Sequence, residues 1–354
     1  MAARKLPVVG DDAAEVKIRP NTTTLLPLHD YDNIIVSFSG GKDSLACVLH
    51  LLDIGAPREK IELWHQSVDG EPGQPKHRFM DWPVTESYCR AVAAHLGMPI
   101  YFQWKVRGYE GELLREKALT MPTRFELPDG TIGESGGVAG KLATRRMFPQ
   151  TSPDLSVRWC SAYLKIDVAK KALSNDPRFA RAKILFLTGE RREESKSRSL
   201  YAEIERHSTT TEKRRVDQWR AIIDWPEQRV WKAIERHRIR PHPAYYAGFS
   251  RVSCMPCIFD QWATIRAIAP ETFRKIARYE RDFGTTIQRK LSVVEQADKG
   301  TPYIARGATK EARDDAHAHA IVGMHEDFLL NVAIPPGAPW DLPYGAYGHS
   351  GGPT

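Results

Sequence analysis

Apolar positions along this chain change rhythm repeatedly between strand and helix. Residues 33–38 (Asn-Ile-Ile-Val-Ser-Phe) form a β-branched run that predicts a buried strand. Residues 43–54 follow with Leu45, Val48, Leu49 and Leu52 at helical spacing. The same alternation predicts a strand over 61–68, a helix over 84–97, a strand over 99–104 and a later strand over 183–188. Strands separated by helices imply an α/β fold, a parallel twisted sheet with helices on both faces. Ligands of such sheets sit at the carboxyl ends of the strands, where residues 39–44 and Asp69 fall.

Elsewhere the pattern is weaker. Residues 107–155 are rich in Gly, Pro and charge, and so long an insertion reads as an irregular lid or binding loop. Trp262, Ile265, Ile268, Phe273, Ile276, Tyr279 and Phe283 recur at helical spacing and predict helix over 260–294. The expected organisation is a flexible arm over 1–27, an α/β domain over 28–260, a helical C-terminal region over 261–333, and a Pro/Gly-rich extended or disordered tail over 334–354.

Length and charge narrow the class. The 354 residues can bury a sizeable core, and no 18-residue apolar run or signal-peptide core is present, so a soluble, cytoplasmic protein with no membrane partner is expected. Five cysteines, an odd number spread over a long chain, point to metal or redox chemistry rather than a disulfide framework. The net charge is +7, and the segment from Arg178 to Arg240 holds 17 Lys/Arg against 10 Asp/Glu, the same excess. That balance suits a nucleotide or a nucleic acid, although solvated helix faces would also carry such charge.

Four clusters carry candidate chemistry. The first is Ser39-Gly40-Gly41-Lys42-Asp43-Ser44, between the first strand and the first helix. Two glycines permit a tight turn, and backbone N–H groups with the positive end of the helix form an anion site. Lys42 can add a charge, and Ser39 and Ser44 hydroxyl donors. The spacing is not that of the nucleoside-triphosphate loop with Gly, four residues and Gly-Lys-Ser/Thr. The second cluster runs from Gly189 to Arg198 after the strand at 183–188, where Arg191 and Arg198 can aim guanidinium groups at the same anion.

In the third cluster, Cys160 lies far in sequence from Cys254-Met255-Pro256-Cys257. A Cys-x-x-Cys with one more thiolate can hold zinc, with His242 or His237 as a fourth ligand, or a [4Fe–4S] cluster with one open iron. Cys47 and Cys89 occupy apolar helical positions and read as core. The fourth cluster joins Asp224-Trp225, Val230-Trp231 and Pro243-Ala244-Tyr245, then Arg251 ahead of the cysteine pair.

The first cluster resembles the Ser-Gly-Gly-x-Asp-Ser loop of the PP-loop ATP pyrophosphatases. The order of all four, from that loop through Trp-Cys-x-x-x-Leu-Lys, Gly-x-Arg-x-x-Glu-Ser-x-x-Arg and Asp-Trp to Arg-x-x-Cys-x-x-Cys, resembles the phosphoadenosine-phosphosulfate reductase-like branch over about residues 30–285. That branch includes sulfonucleotide reductases, ATP sulfurylase small subunits and the DNA phosphorothioation sulfurtransferase. The resemblance implies an adenine nucleotide alpha-hydrolase-like fold. It further implies that Ser39, Gly40, Gly41, Asp43, Ser44, Asp69, Gly189, Arg191, Glu194 and Arg198 bind ATP with Mg2+, and that Cys160, Cys254 and Cys257 hold a cluster. Lys42, Asp43 and Arg191 become the expected catalytic residues.

Two departures bear on the reaction. Cluster-bearing reductases have adjacent cysteines where this chain has Cys160-Ser161, and no cysteine follows Cys257 to serve as their C-terminal nucleophile. The leading expectation is therefore an ATP-dependent adenylating sulfurtransferase acting on nucleic acid, fed by a sulfur or electron donor protein. A sulfonucleotide reductase and a non-catalytic nucleotide-binding partner subunit are the alternatives.

Overall fold

The computed structural model describes residues 23–74, 79–152, 154–252, 254–259, 261–303 and 331–348. Eight strands form one sheet in the order β5-β4-β3-β2-β1-β6-β8-β7. These are β1 (Asn33–Ser37), β2 (Ile61–Ser67), β3 (Ile100–Lys105), β4 (Thr123–Glu126), β5 (Ile132–Ser135), β6 (Lys183–Leu187), β7 (Ile204–Arg206) and β8 (Arg215–Trp219). The five central strands are parallel, and β5, β4 and β7 add antiparallel edges. Ile34, Ile35, Val36, Ile184 and Leu185 are fully buried, as expected of strands covered on both faces.

The helices are α1 (Lys42–Asp53), α2 (Thr85–Leu96), α3 (Gly108–Leu113), α4 (Trp159–Ser161), α5 (Asp167–Asn175), α6 (Lys196–Ser199), α7 (Glu227–Arg236), α8 (Trp262–Ile268), α9 (Pro270–Phe283) and α10 (Val293–Lys299). The larger core gathers α1, α2 and α7 on one face of the sheet, including Leu45, Val48, Val92, Val230 and Ile234. On the other face α5 supplies Ala169, Ala172 and Leu173 against Ile35, Ile184 and Phe186. Chain order runs outward from β1 to β2 and β3, then returns to β6 on the opposite side. The connections therefore diverge between β1 and β6, which opens a crevice at their carboxyl ends.

Several sequence expectations change. The 107–155 segment is not wholly irregular: β4 and β5 form a hairpin that extends the sheet, turning through Asp129-Gly130 with Gly130 at φ +82°. Four-residue strands are too short to give a clear alternating signal. The single helix expected over 260–294 breaks at Pro270, which opens α9, and stops at Gly284, whose φ is +65°. Cys160 lies in α4, which passes through a π-helical turn at Ala162–Ile166 into α5.

The ends are less loose than expected where they are described. Leu25 and Leu26 pack on the core, and Arg215 donates to the Thr24 carbonyl at 3.0 Å. In the tail, Trp340 Nε1 donates to the Ile239 carbonyl at 3.1 Å and Gly345 N to the Tyr245 carbonyl at 2.7 Å. Residues 1–22, 304–330 and 349–354, parts of the expected arm, helical region and tail, lie outside the described residues. Among the described residues no helix is long and apolar enough to cross a membrane.

Candidate functional site

The crevice between β1 and β6 holds a cleft of about 610 Å3, lined by Ser39, Gly41, Asp43, Ser44, Gly189, Glu194 and Arg198 of the first two clusters. The turn at 39–44 depends on Gly40, whose φ is +77°; a Cβ there would also meet Cys89 Sγ at 3.0 Å. Ser44 Oγ donates to the Gly41 carbonyl at 2.9 Å and accepts from Ser39 N at 3.2 Å, so the loop is tied across its own mouth. Gly189 is required for a different reason. Its backbone lies against the start of α1, where a Cβ would stand 2.9 Å from Asp43 C and 3.0 Å from Ser44 N.

Lys42 and Arg191 do not face this cleft as expected. The Lys42 ammonium is buried and donates to the Ser250 carbonyl at 2.9 Å, with Asp43 at 3.4 Å and Glu227 at 3.6 Å. Arg191 is only 3% exposed; it donates to Asp43 Oδ1 at 2.7 Å and pairs with Glu193. Against burial, which pushes the Asp43 carboxyl up, Lys42 and Arg191 hold it below its usual range. Both cations therefore support Asp43 from behind the loop. Side-chain direction, which the sequence does not carry, decides this.

The fourth cluster is the buttress. Tyr245, beside Trp231, places its hydroxyl over the helix N-terminus and accepts from Lys42 N at 2.8 Å. The Trp225 carbonyl accepts from Arg191 Nη1 at 3.4 Å. Glu194 caps the turn by accepting from Arg191 N at 2.9 Å and pairs with Arg198. Asp69 lies elsewhere. Its carboxylate accepts from Phe79 N, Met80 N and Asp81 N at 2.7–2.9 Å, holding the 79–81 loop, and it borders a separate small pocket with His65 and Asp81. Burial and the neighbouring Asp81 push its pKa up to about 7.

The cleft also contains residues the motifs did not single out for it: Gln66, Lys165, Lys170, Phe186, His207 and Gln218. Phe186 and His207 stand 5.5 Å apart, a wall suited to a nucleobase. His207 Nδ1 accepts from Thr209 N at 3.3 Å, which leaves the proton on Nε2. Burial lowers its pKa to about 4, so the ring is neutral at physiological pH. Phe186 on β6 and Gln218 on β8 meet in this cleft because those strands pair in register, which the sequence does not show.

The three cysteines share one neighbourhood. Cys160, Cys254 and Cys257 all act electrostatically on Lys165 and on Tyr109, and all three are free thiols. Burial pushes the Cys160 and Cys254 thiols up. Among the described residues, however, no three His, Cys, Asp or Glu side chains are arranged to hold a metal. The histidines suggested as a fourth ligand are committed elsewhere. His242 contacts Thr85 Oγ1 at 3.1 Å and accepts from Ala244 N, while His237 pairs with Asp53 at 2.9 Å. As arranged here, the thiols do not form a ready ligand set. Cys47 and Cys89 are fully buried in the core, as expected.

Comparison with known proteins places these residues in a family. Residues 138–259 match the phosphoadenosine phosphosulfate reductase domain. The "Uncharacterized 37.8 kDa protein in gpa 5'region" of Escherichia phage 186 is 32% identical over 266 residues, 70% of this chain and 74% of that protein. Among solved structures, phosphoadenylyl-sulfate reductase from Candida auris is 13% identical, covering 65% of this chain and 85% of its own, with a TM-score of 0.36. Candida glabrata FMN adenylyltransferase is 12% identical with a TM-score of 0.34; the match covers 63% of this chain and just over half, 55%, of that one. The matched domain encloses Cys160, the Gly189–Arg198 turn and the Cys254/Cys257 pair, so over residues 138–259 the chain carries a phosphoadenosine phosphosulfate reductase domain, and as a whole it belongs to the family of the phage 186 protein.

Proposed function

We propose that this protein is an ATP-dependent sulfurtransferase that activates an oxygen of a nucleic acid by adenylation. The observation that carries the reading is the joint built by Gly40, Gly41 and Gly189, which brings the phosphate-type loop, the N-terminus of α1 and the end of β6 to one cleft. ATP would lie with its base toward Phe186 and His207 and its phosphates on the loop amides, beside the Ser39 and Ser44 side chains. An acceptor oxygen attacks the α-phosphorus and its bond to pyrophosphate breaks. Hydrosulfide from a donor protein then displaces AMP. Lys42 and Arg191 act as positioning residues that fix Asp43, while Lys165, Lys170 and Arg198 supply positive charge inside the cleft. A Mg2+ ion carried in with ATP would neutralise phosphate charge.

ATP–pyrophosphate exchange, measured with and without nucleic acid, tests this reading; no exchange under any condition refutes it. A sulfonucleotide reductase is the second reading, favoured by the domain match over 138–259. It requires thioredoxin-dependent sulfite release that Cys160→Ser abolishes. Neither reading routes a step through a metal. Iron, sulfide and zinc analysis of anaerobically purified protein assigns the three thiols: about four irons support a cluster, one zinc a structural site, and neither metal leaves them as buried thiols.

A further inference from the structure

Arg158 is the least satisfied cation near the cleft. Its Nε and Nη1 are buried and have no hydrogen-bond partner, and among the described residues it forms no ion pair. A buried donor left unpaired is destabilising, so a guanidinium held this way is suited to take an acceptor. The charged neighbours that act on it include two more arginines, Arg198 and Arg251, both of which line the cleft. Arg198 is already paired with Glu194, and the Arg251 guanidinium lies 5.2 Å from the Phe259 ring centre. An anion beside them would give the Arg158 guanidinium the acceptor it lacks.

The rim beside them is aromatic and apolar. Leu200 is 69% exposed and Tyr201 38% exposed, and the Arg220 guanidinium lies 4.9 Å from the Tyr201 ring centre. Lys196, one turn earlier, is also exposed. An aromatic ring next to a group of arginines fits a flexible polyanion with π-faces: the ring stacks a base and the cations take the backbone. An isolated inorganic anion would have no use for Tyr201.

We propose that Arg158, Arg198, Arg251 and Tyr201 form the entry site for a single-stranded nucleic acid acceptor, with a backbone phosphate at the arginines and a base on Tyr201. Arg198, Tyr201 and Arg251 line the same cleft as the loop at 39–44, so the strand would enter beside the ATP it is activated by. Cys160 lies two residues from Arg158 along the chain. The assignment rests on the nucleic acid reading above and names the surface that would serve it.

The test is anisotropy of labelled oligothymidylate and oligouridylate across about 50–200 mM salt, alongside calorimetric binding of ATP. Arg158→Ala should weaken oligonucleotide binding about tenfold and lower the slope of log Kd against log salt by about one, with ATP affinity unchanged. Arg158→Lys should restore the salt slope, and melting curves check that each variant is folded. Tyr201→Ala should weaken binding about 5- to 100-fold with the slope unchanged. Oligonucleotide binding that Arg158→Ala leaves intact overturns the site while sparing the proposed function. Equal loss of ATP affinity in folded Arg158→Ala assigns the arginine to the nucleotide and overturns it too. ATP binding by wild-type protein that binds neither oligonucleotide overturns the acceptor class.

Discussion

Replacing Gly189 with Ala tests whether the close approach of β6 to α1 builds the nucleotide site. The added Cβ would sit 2.9 Å from Asp43 C and 3.0 Å from both Asp43 O and Ser44 N. These are backbone atoms of the loop and the first turn of the helix, so no side chain can swing away to make room. Overpacking of this kind costs about 1–3 kcal/mol. Spread into the loop, the same energy corresponds to about a 5- to 150-fold weaker phosphate site. The assay is the ATP dependence of pyrophosphate exchange, with urea unfolding measured in parallel. Gly55→Ala is the control: its φ of +73° carries conformational strain, but nothing lies within 4 Å of the new Cβ. It should lose about 1 kcal/mol of stability and keep its KM for ATP. A Gly189→Ala protein with wild-type KM and no greater instability than Gly55→Ala would refute the argument.

Three further outcomes follow from the same geometry. Tyr245→Phe removes the hydroxyl that accepts from Lys42 N at 2.8 Å, so the unliganded protein should lose about 1–3 kcal/mol while ATP raises its melting temperature by more than in wild type; equal ATP shifts would show that phosphate does not reach that amide. Asp43→Asn leaves Lys42 and Arg191 buried beside a neutral group and should destabilise by about 3–5 kcal/mol in urea unfolding, against little effect if the cations found other partners. His242 is fully buried and its pKa is pushed down to about 3 by burial, with His65 a smaller cause. Its folded value is below the unfolded one, so its contribution is present above pH about 6.5 and lost as pH falls toward 3, at up to about 1.4 kcal/mol per pH unit. His242→Asn should flatten that part of the stability–pH curve.

The strands at 33–38, 61–68, 99–104 and 183–188 and the first two helices were legible because each is long and strongly periodic. The antiparallel edges were not: β4 and β7 have four and three residues, and their pairing depends on partners far along the chain. The turn at 39–44 between the first strand and the first helix was legible because glycine conformation and helix polarity are local properties. The placement of Asp69 outside the cleft was not legible, because position after a strand does not say which way the loop turns, and its carboxylate is used by the amides of Phe79, Met80 and Asp81.

Sequence alone determined the α/β class, the loop and the order of the four clusters, because these are local patterns or fixed spacings. Only tertiary structure decided that Lys42 and Arg191 stand behind Asp43, that Tyr245 covers the helix N-terminus, and that the Arg158 guanidinium is left with buried, unpartnered donors. The reason is physical: the chemical character of a side chain is written at its own position, but its direction and partners depend on packing between segments more than a hundred residues apart. Gly189 shows both sides. Its place after a strand is visible in the chain, and its necessity appears only where the backbone of Asp43 presses against it.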